Sequence, residues 1–148
     1  MDKIESSHEK QKLENLKRVL SSDKINDSAI SRLAGETVNN NLLQDFKRNK
    51  GLLHPDQVLA LKTAINTIRI KLKALLNEFD NNPKSEAAIK QFKELLKRKE
   101  IVWFVVFDRD RTFYRKIQGW ELGRRSFPID NLAQLKSFIL IFLTETTI

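Results

Sequence analysis

From Pro55 to Phe79 the chain reads PDQVLALKTAINTIRIKLKALLNEF, with apolar residues at Val58, Leu61, Ile65, Ile68, Leu72, Leu75 and Phe79. They are spaced alternately three and four residues apart, which keeps one stripe of a helix apolar for its whole length and suits packing against another helix. Pro55 fits the first turn, where its missing N–H is no loss. At 1.5 Å per residue the segment is about 37 Å long, enough to run the length of a small domain. A chain built around it must supply at least one more helix to cover the stripe.

That helix is expected directly after it. Asn81-Asn82-Pro83 is a turn, and a helix restarts with Asn82 or Ser85 as its cap. Running to about Lys99, it would bury Ala88, Ile89, Phe92, Leu95 and Leu96. So short a turn makes the 55–79 and 85–99 helices an antiparallel hairpin. The outer face of the second carries Lys90, Lys93 and Lys97, three and four residues apart and therefore aligned. Glu86 and Glu94 stand four residues before Lys90 and Arg98, a spacing that favours surface pairing.

Upstream, residues 2–20 read as an amphipathic helix with Leu13, Leu16 and Leu20 on one side, broken by Ser21-Ser22-Asp23. Asp27-Ser28 offers an N-cap for a short helix through Ile30, Leu33 and Ala34 that ends at Gly35. Another carries Leu42, Leu43 and Phe46 and stops at Gly51, its start weakened by Asn39, Asn40 and Asn41. Residues 30–35 followed by Leu42 and Phe46 look somewhat like a helix-turn-helix. Glu36, however, stands where such turns bury an apolar residue. Two ordinary short helices packing on the long one is the preferred reading.

Downstream, Ile101 to Phe107, IVWFVVF, is β-branched and aromatic without a break, the pattern of a strand covered on both faces. Asp108-Arg109-Asp110-Arg111 would be the turn, and Thr112 to about Trp120 the returning strand. Phe113, Arg115 and Ile117 would then share one face, with Tyr114, Lys116 and Gln118 on the other. Asp130 is placed as the cap of a final helix from Asn131 to about Thr144, apolar nearly all round and so buried deeply or shared with a second copy. FILIFL could also be a strand. The expected fold class is α+β, mostly helical: a central helical hairpin, a β-hairpin and a buried C-terminal helix. All 148 residues are assigned to one domain, of which residues 1–51 are short helices that could be mobile.

Composition narrows the function. There is no cysteine, which excludes disulfides and thiolate chemistry. No signal peptide is visible, and the apolar run at 101–107 is too short for a helix to span a bilayer, so a cytoplasmic protein with no membrane partner is expected. The two histidines, His8 and His54, lack ligand-like spacing, and no phosphate loop, nucleophile elbow or zinc-protease motif occurs. Asp108 and Asp110 could face one cation, but Arg109 and Arg111 between them would partly neutralise it, so a turn is favoured over a metal site. No catalytic residue, metal or cofactor is assigned, and an enzyme is not expected.

What remains is charge. The net charge is +8, and residues 84–125 hold twelve Lys/Arg against six Asp/Glu, most of the surplus. Such a local excess suits an anionic partner, nucleic acid above all, although it also serves as a solvated face. The candidate nucleic-acid-binding residues are Lys90, Lys93, Lys97, Arg109, Arg111, Tyr114, Arg115, Lys116, Arg124 and Arg125. Cations would pair with phosphates and Tyr114 could stack on an unpaired base, whereas Phe113 and Trp120 are better read as core. A helix followed by a basic hairpin looks like the recognition helix and wing of winged-helix regulators over about residues 84–120, by element order rather than by motif. Two readings follow. The first, favoured by the localised surplus, is a small basic protein binding DNA or RNA through residues 84–125, with a regulator as one option. The alternative is a helical adaptor that binds a protein partner, or itself as a homodimer, through the long and C-terminal helices.

Overall fold

The computed structural model describes residues 2–101 and 111–148, with side-chain surroundings from residue 9 onward. Among the described residues there are seven α-helices and no strand. They are α1 (Asp2–Leu20), α2 (Asp27–Leu33), α3 (Asn40–Lys47), α4 (Pro55–Asn81), α5 (Glu86–Lys97), α6 (Arg111–Glu121) and α7 (Leu132–Glu145). A 3-10 turn at Ile129–Asn131 leads into α7.

The seam of α4 is buried from Leu61 through Phe79, with Val58 half-buried at its start. Helices α2, α5 and α7 pack on α4, and α1 packs on α3. Helices α4 and α5 form the expected antiparallel hairpin. Ser85 Oγ donates to Glu78 Oε1 at 2.9 Å near its turn, and Lys71 reaches Glu100 at 3.1 Å at its open end. Of the two candidate caps, Ser85 serves α5, accepting from the Ala88 N–H. Asn26, one residue earlier than expected, caps α2, and Asn39 caps α3.

Helix α7 lies antiparallel to α4 on another side. Lys136 pairs with Asp80 at 2.6 Å near one end, and at the other Arg69 donates to the Leu143 carbonyl and to Thr146 Oγ1. Arg18 donates to the Thr147 carbonyl and Lys24 pairs with Glu145. Cations thus meet the carbonyl end of the helix, where its dipole is negative. Burial of Lys24 works against its charge, but Glu145 and Asp23 together outweigh it and raise its pKa above the ordinary 10.5. Asp130 lies in the 3-10 turn, and α7 begins at Leu132 rather than Asn131. Only part of α7 is core: Leu132, Leu135, Phe138, Ile139 and Phe142 are buried, while Leu140 and Ile141 are exposed.

The α+β expectation is corrected here. The run Val102–Phe107, with Asp108, Arg109 and Asp110, lies outside the described residues. The proposed second strand, 112–120, is the helix α6, so no β-hairpin forms among the described residues. Phe113, Ile117 and Trp120, four and three residues apart, are its buried face, a stripe that only a helix assembles. A strand would have turned Trp120 away from the side shared by Phe113 and Ile117.

Candidate nucleic-acid interface

An aromatic cluster holds α6 against the helical hairpin. The Trp120 ring stacks on Phe92 of α5 with centroids 5.7 Å apart. Phe127, from the loop after α6, meets Trp120 edge-on at 4.9 Å and lies parallel to Phe79 of α4 at 6.1 Å. These rings tie α4, α5, α6 and the return loop together through a large apolar area with specific ring geometry. Lys93 Nζ lies 5.6 Å from the centroid of the Trp120 ring, a cation–π distance.

With its apolar stripe fixed inward, α6 turns Arg111, Arg115 and Gln118 to solvent. Arg111, Arg115 and Gly119 stand four residues apart and lie one above another on that face. Gly123, at φ +75°, ends the helix with a paired-bond reversal: the Gly123 N–H donates to the Trp120 carbonyl and the Arg124 N–H to the Gly119 carbonyl. The chain then doubles back, and Arg125 lies against Gly119. Three arginines, Arg111, Arg115 and Arg125, therefore share the exposed face of α6.

The other candidates divide. Arg124 is exposed in the loop, and Lys90 and Lys97 are exposed on α5. Lys93 is half-buried against Trp120. Lys116 is half-buried and donates to Asn131 Oδ1 at 3.2 Å, turned toward the start of α7. Tyr114 is half-buried and packs against the core. Arg109 lies outside the described residues. Phe113 and Trp120 are core. The resemblance to a recognition helix and wing falls with the hairpin on which it rested, and nothing among the described residues supports a regulator.

Among the described residues the cations of this face stand outside the ion pairs, as do the exposed Lys10, Lys12, Arg48, Lys50, Lys73, Lys84 and Lys99 elsewhere on the surface. The ion pairs among the described residues engage Lys17, Lys24, Lys47, Lys71, Lys136, Arg32 and Arg98. None engages Arg111, Arg115, Arg124, Arg125, Lys90 or Lys97. Glu86 and Glu94, spaced to pair with Lys90 and Arg98, form no ion pair with them. The neighbourhood of Glu100 is the opposite case, and sequence reasoning missed it. This carboxylate is 1% exposed, takes Lys71 on both oxygens at 3.2 and 3.1 Å, and has Arg32 and Arg98 each at 3.9 Å. Lys99, at φ +56°, turns the chain inward after α5, and the Glu100 N–H closes that end on the Leu95 carbonyl.

Among the described residues no cluster of His, Asp or Glu is placed to hold a metal ion, and no helix is long and apolar enough to cross a membrane. His54 is the residue before α4, and its N–H donates to Gln57 Oε1 at 2.9 Å. No protein-family model, curated protein or solved structure matches this chain.

Proposed function

We propose that this protein binds the phosphate backbone of nucleic acid through the exposed face of α6 and the loop folded back on it. The observation that carries the reading is the row Arg111, Arg115 and Arg125, exposed and outside every ion pair among the described residues. Guanidinium groups exposed on one face can offer their donors for planar, bidentate contact with phosphate. Lys90 and Lys97, exposed on α5, add field on the helix that Lys93 and Phe92 tie to α6. Contacts of this kind fix position on a strand and carry no sequence information by themselves. Tyr114, packed against the core, is left a minor part. The test is fluorescence anisotropy with labelled single-stranded and duplex oligonucleotides of mixed sequence. Binding at low salt that weakens steadily as salt rises is expected. No measurable affinity for either at low salt would end the reading.

A second reading rests on a different observation. Leu140 and Ile141 are 56% and 42% exposed on α7, with Ala133, Ser137 and Thr144 exposed beside them. A protein partner or a second copy could cover it. A monomeric mass in solution at micromolar concentration would remove the homodimer.

A further inference from the structure

Glycine is among the poorest residues for the interior of a helix, yet Gly119 lies within α6, two residues before its end. Its place is explained by what lies over it. A Cβ built on Gly119 would come 2.9 Å from Arg125 Cδ and 3.2 Å from Arg125 Cγ, closer than packed carbon atoms stand. The absent side chain is therefore the space that the Arg125 stem occupies. Gly123 supplies the other half of the device, because its left-handed backbone, φ +75°, reverses the chain and brings residue 125 back alongside α6.

We propose that Gly119 is a positioning residue for phosphate binding. By giving the stem of Arg125 a seat on the helix surface, it sets that guanidinium in line with Arg115 and Arg111, one turn apart along a single face. The ligand class is a polyanion with regularly repeated phosphates, a nucleic-acid strand. This rests on the function proposed above. The row then has three members, although only two of them belong to the helix. Arg125 gains order from its seat, and a cation held in place loses less freedom on binding than one on a free loop.

The test separates position from charge. Gly119→Ala leaves every charge in place and improves helix propensity. Because the atoms it meets belong to a flexible side chain, the fold adjusts by moving Arg125. The salt dependence of oligonucleotide binding is measured for the unmodified protein, Gly119→Ala, Arg125→Ala, Arg125→Lys and the double variant Gly119→Ala/Arg125→Ala. Circular dichroism and thermal melting confirm that each is folded. Gly119→Ala is expected to lower the log–log salt slope as Arg125→Ala does, by about 0.7 on single strands or 0.9 on duplex. The loss of affinity between about 50 and 200 mM salt then shrinks roughly threefold. The double variant should show no further change, since both substitutions remove the same contact. Arg125→Lys should keep most of the slope. A Gly119→Ala slope equal to that of the unmodified protein overturns the proposal, whether or not Arg125→Ala lowers it. Failure of the unmodified protein to bind overturns the phosphate reading itself.

Discussion

Removing the Glu100 carboxylate should cost far more than its place in the run Lys97-Arg98-Lys99-Glu100 suggests. The group is 1% exposed, and Lys71, whose side chain is 29% exposed, holds both of its oxygens. At 3.1 Å and an effective dielectric constant near 20, that attraction is about 5 kcal/mol before desolvation is subtracted. Arg32 and Arg98 stand at 3.9 Å, but their side chains are 44% and 56% exposed. Solvent screens them, and each adds about 0–1 kcal/mol. Truncation at Glu100→Ala strands the Lys71 ammonium and opens a cavity at the end of α5, so a loss of about 3–5 kcal/mol is expected. Urea unfolding followed by circular dichroism measures it, with an unchanged m-value showing that the transition is the same. The paired replacement Lys71→Met/Glu100→Leu should recover most of the loss, because the two charges that hold each other go together and the remaining Arg32 and Arg98 are solvated. A loss near 0.5 kcal/mol for Glu100→Ala, the size of an ordinary surface change, would refute a buried and paired carboxylate.

Ile68→Ala, at the middle of the α4 seam and 1% exposed, should cost about 2–5 kcal/mol in the same assay, whereas a loss of about 0.5 kcal/mol or less would place the seam in solvent. Along α7 the two neighbours Ile141 and Phe142 should part company. Phe142→Asp puts a charge where exposure is 0% and should unfold the protein, while Ile141→Asp, on the exposed face, should leave melting nearly unchanged; equal effects would contradict the orientation of α7. Because the pKa of Lys24 is raised in the folded state, its contribution to stability is complete below its unfolded pKa of 10.5 and is lost as pH rises through the higher folded value. Lys24→Met should therefore flatten the alkaline limb of a stability–pH curve, and an unaltered limb would show that the pair with Glu145 has no such role.

The long helix could be read directly because its evidence is redundant: seven apolar residues repeat over six steps, and no other regular structure puts them on one side. The segment 112–120 is different. Its nine residues fit two periods, since Phe113, Arg115 and Ile117 alternate as in a strand while Phe113, Ile117 and Trp120 repeat as in a helix. Trp120 and the helix-favouring Arg115, Lys116 and Gln118 were the available signal. The β-branched run before them drew the reading toward a hairpin. Glu100 carried no local sign of burial, because Arg32 and Lys71 come from α2 and α4. The basic residues were visible as a charge surplus, but their sorting was not. Lys116 turns to Asn131 and Tyr114 to the core, while Arg125 joins α6 from beyond its end. The seat under Arg125 did leave a trace in the sequence, since Gly119 is a glycine where a helix resists one.

The most direct measurement of phosphate binding by the α6 row is the salt slope of oligonucleotide affinity for the unmodified protein beside Arg111→Ala/Arg115→Ala. Both arginines are exposed, so folding and melting should be unchanged in the double variant. Its affinity should fall, and its log–log slope should drop by somewhat under two units, about 1.4 on single strands and 1.8 on duplex. A double variant that binds as tightly, with the same slope, would contradict the account.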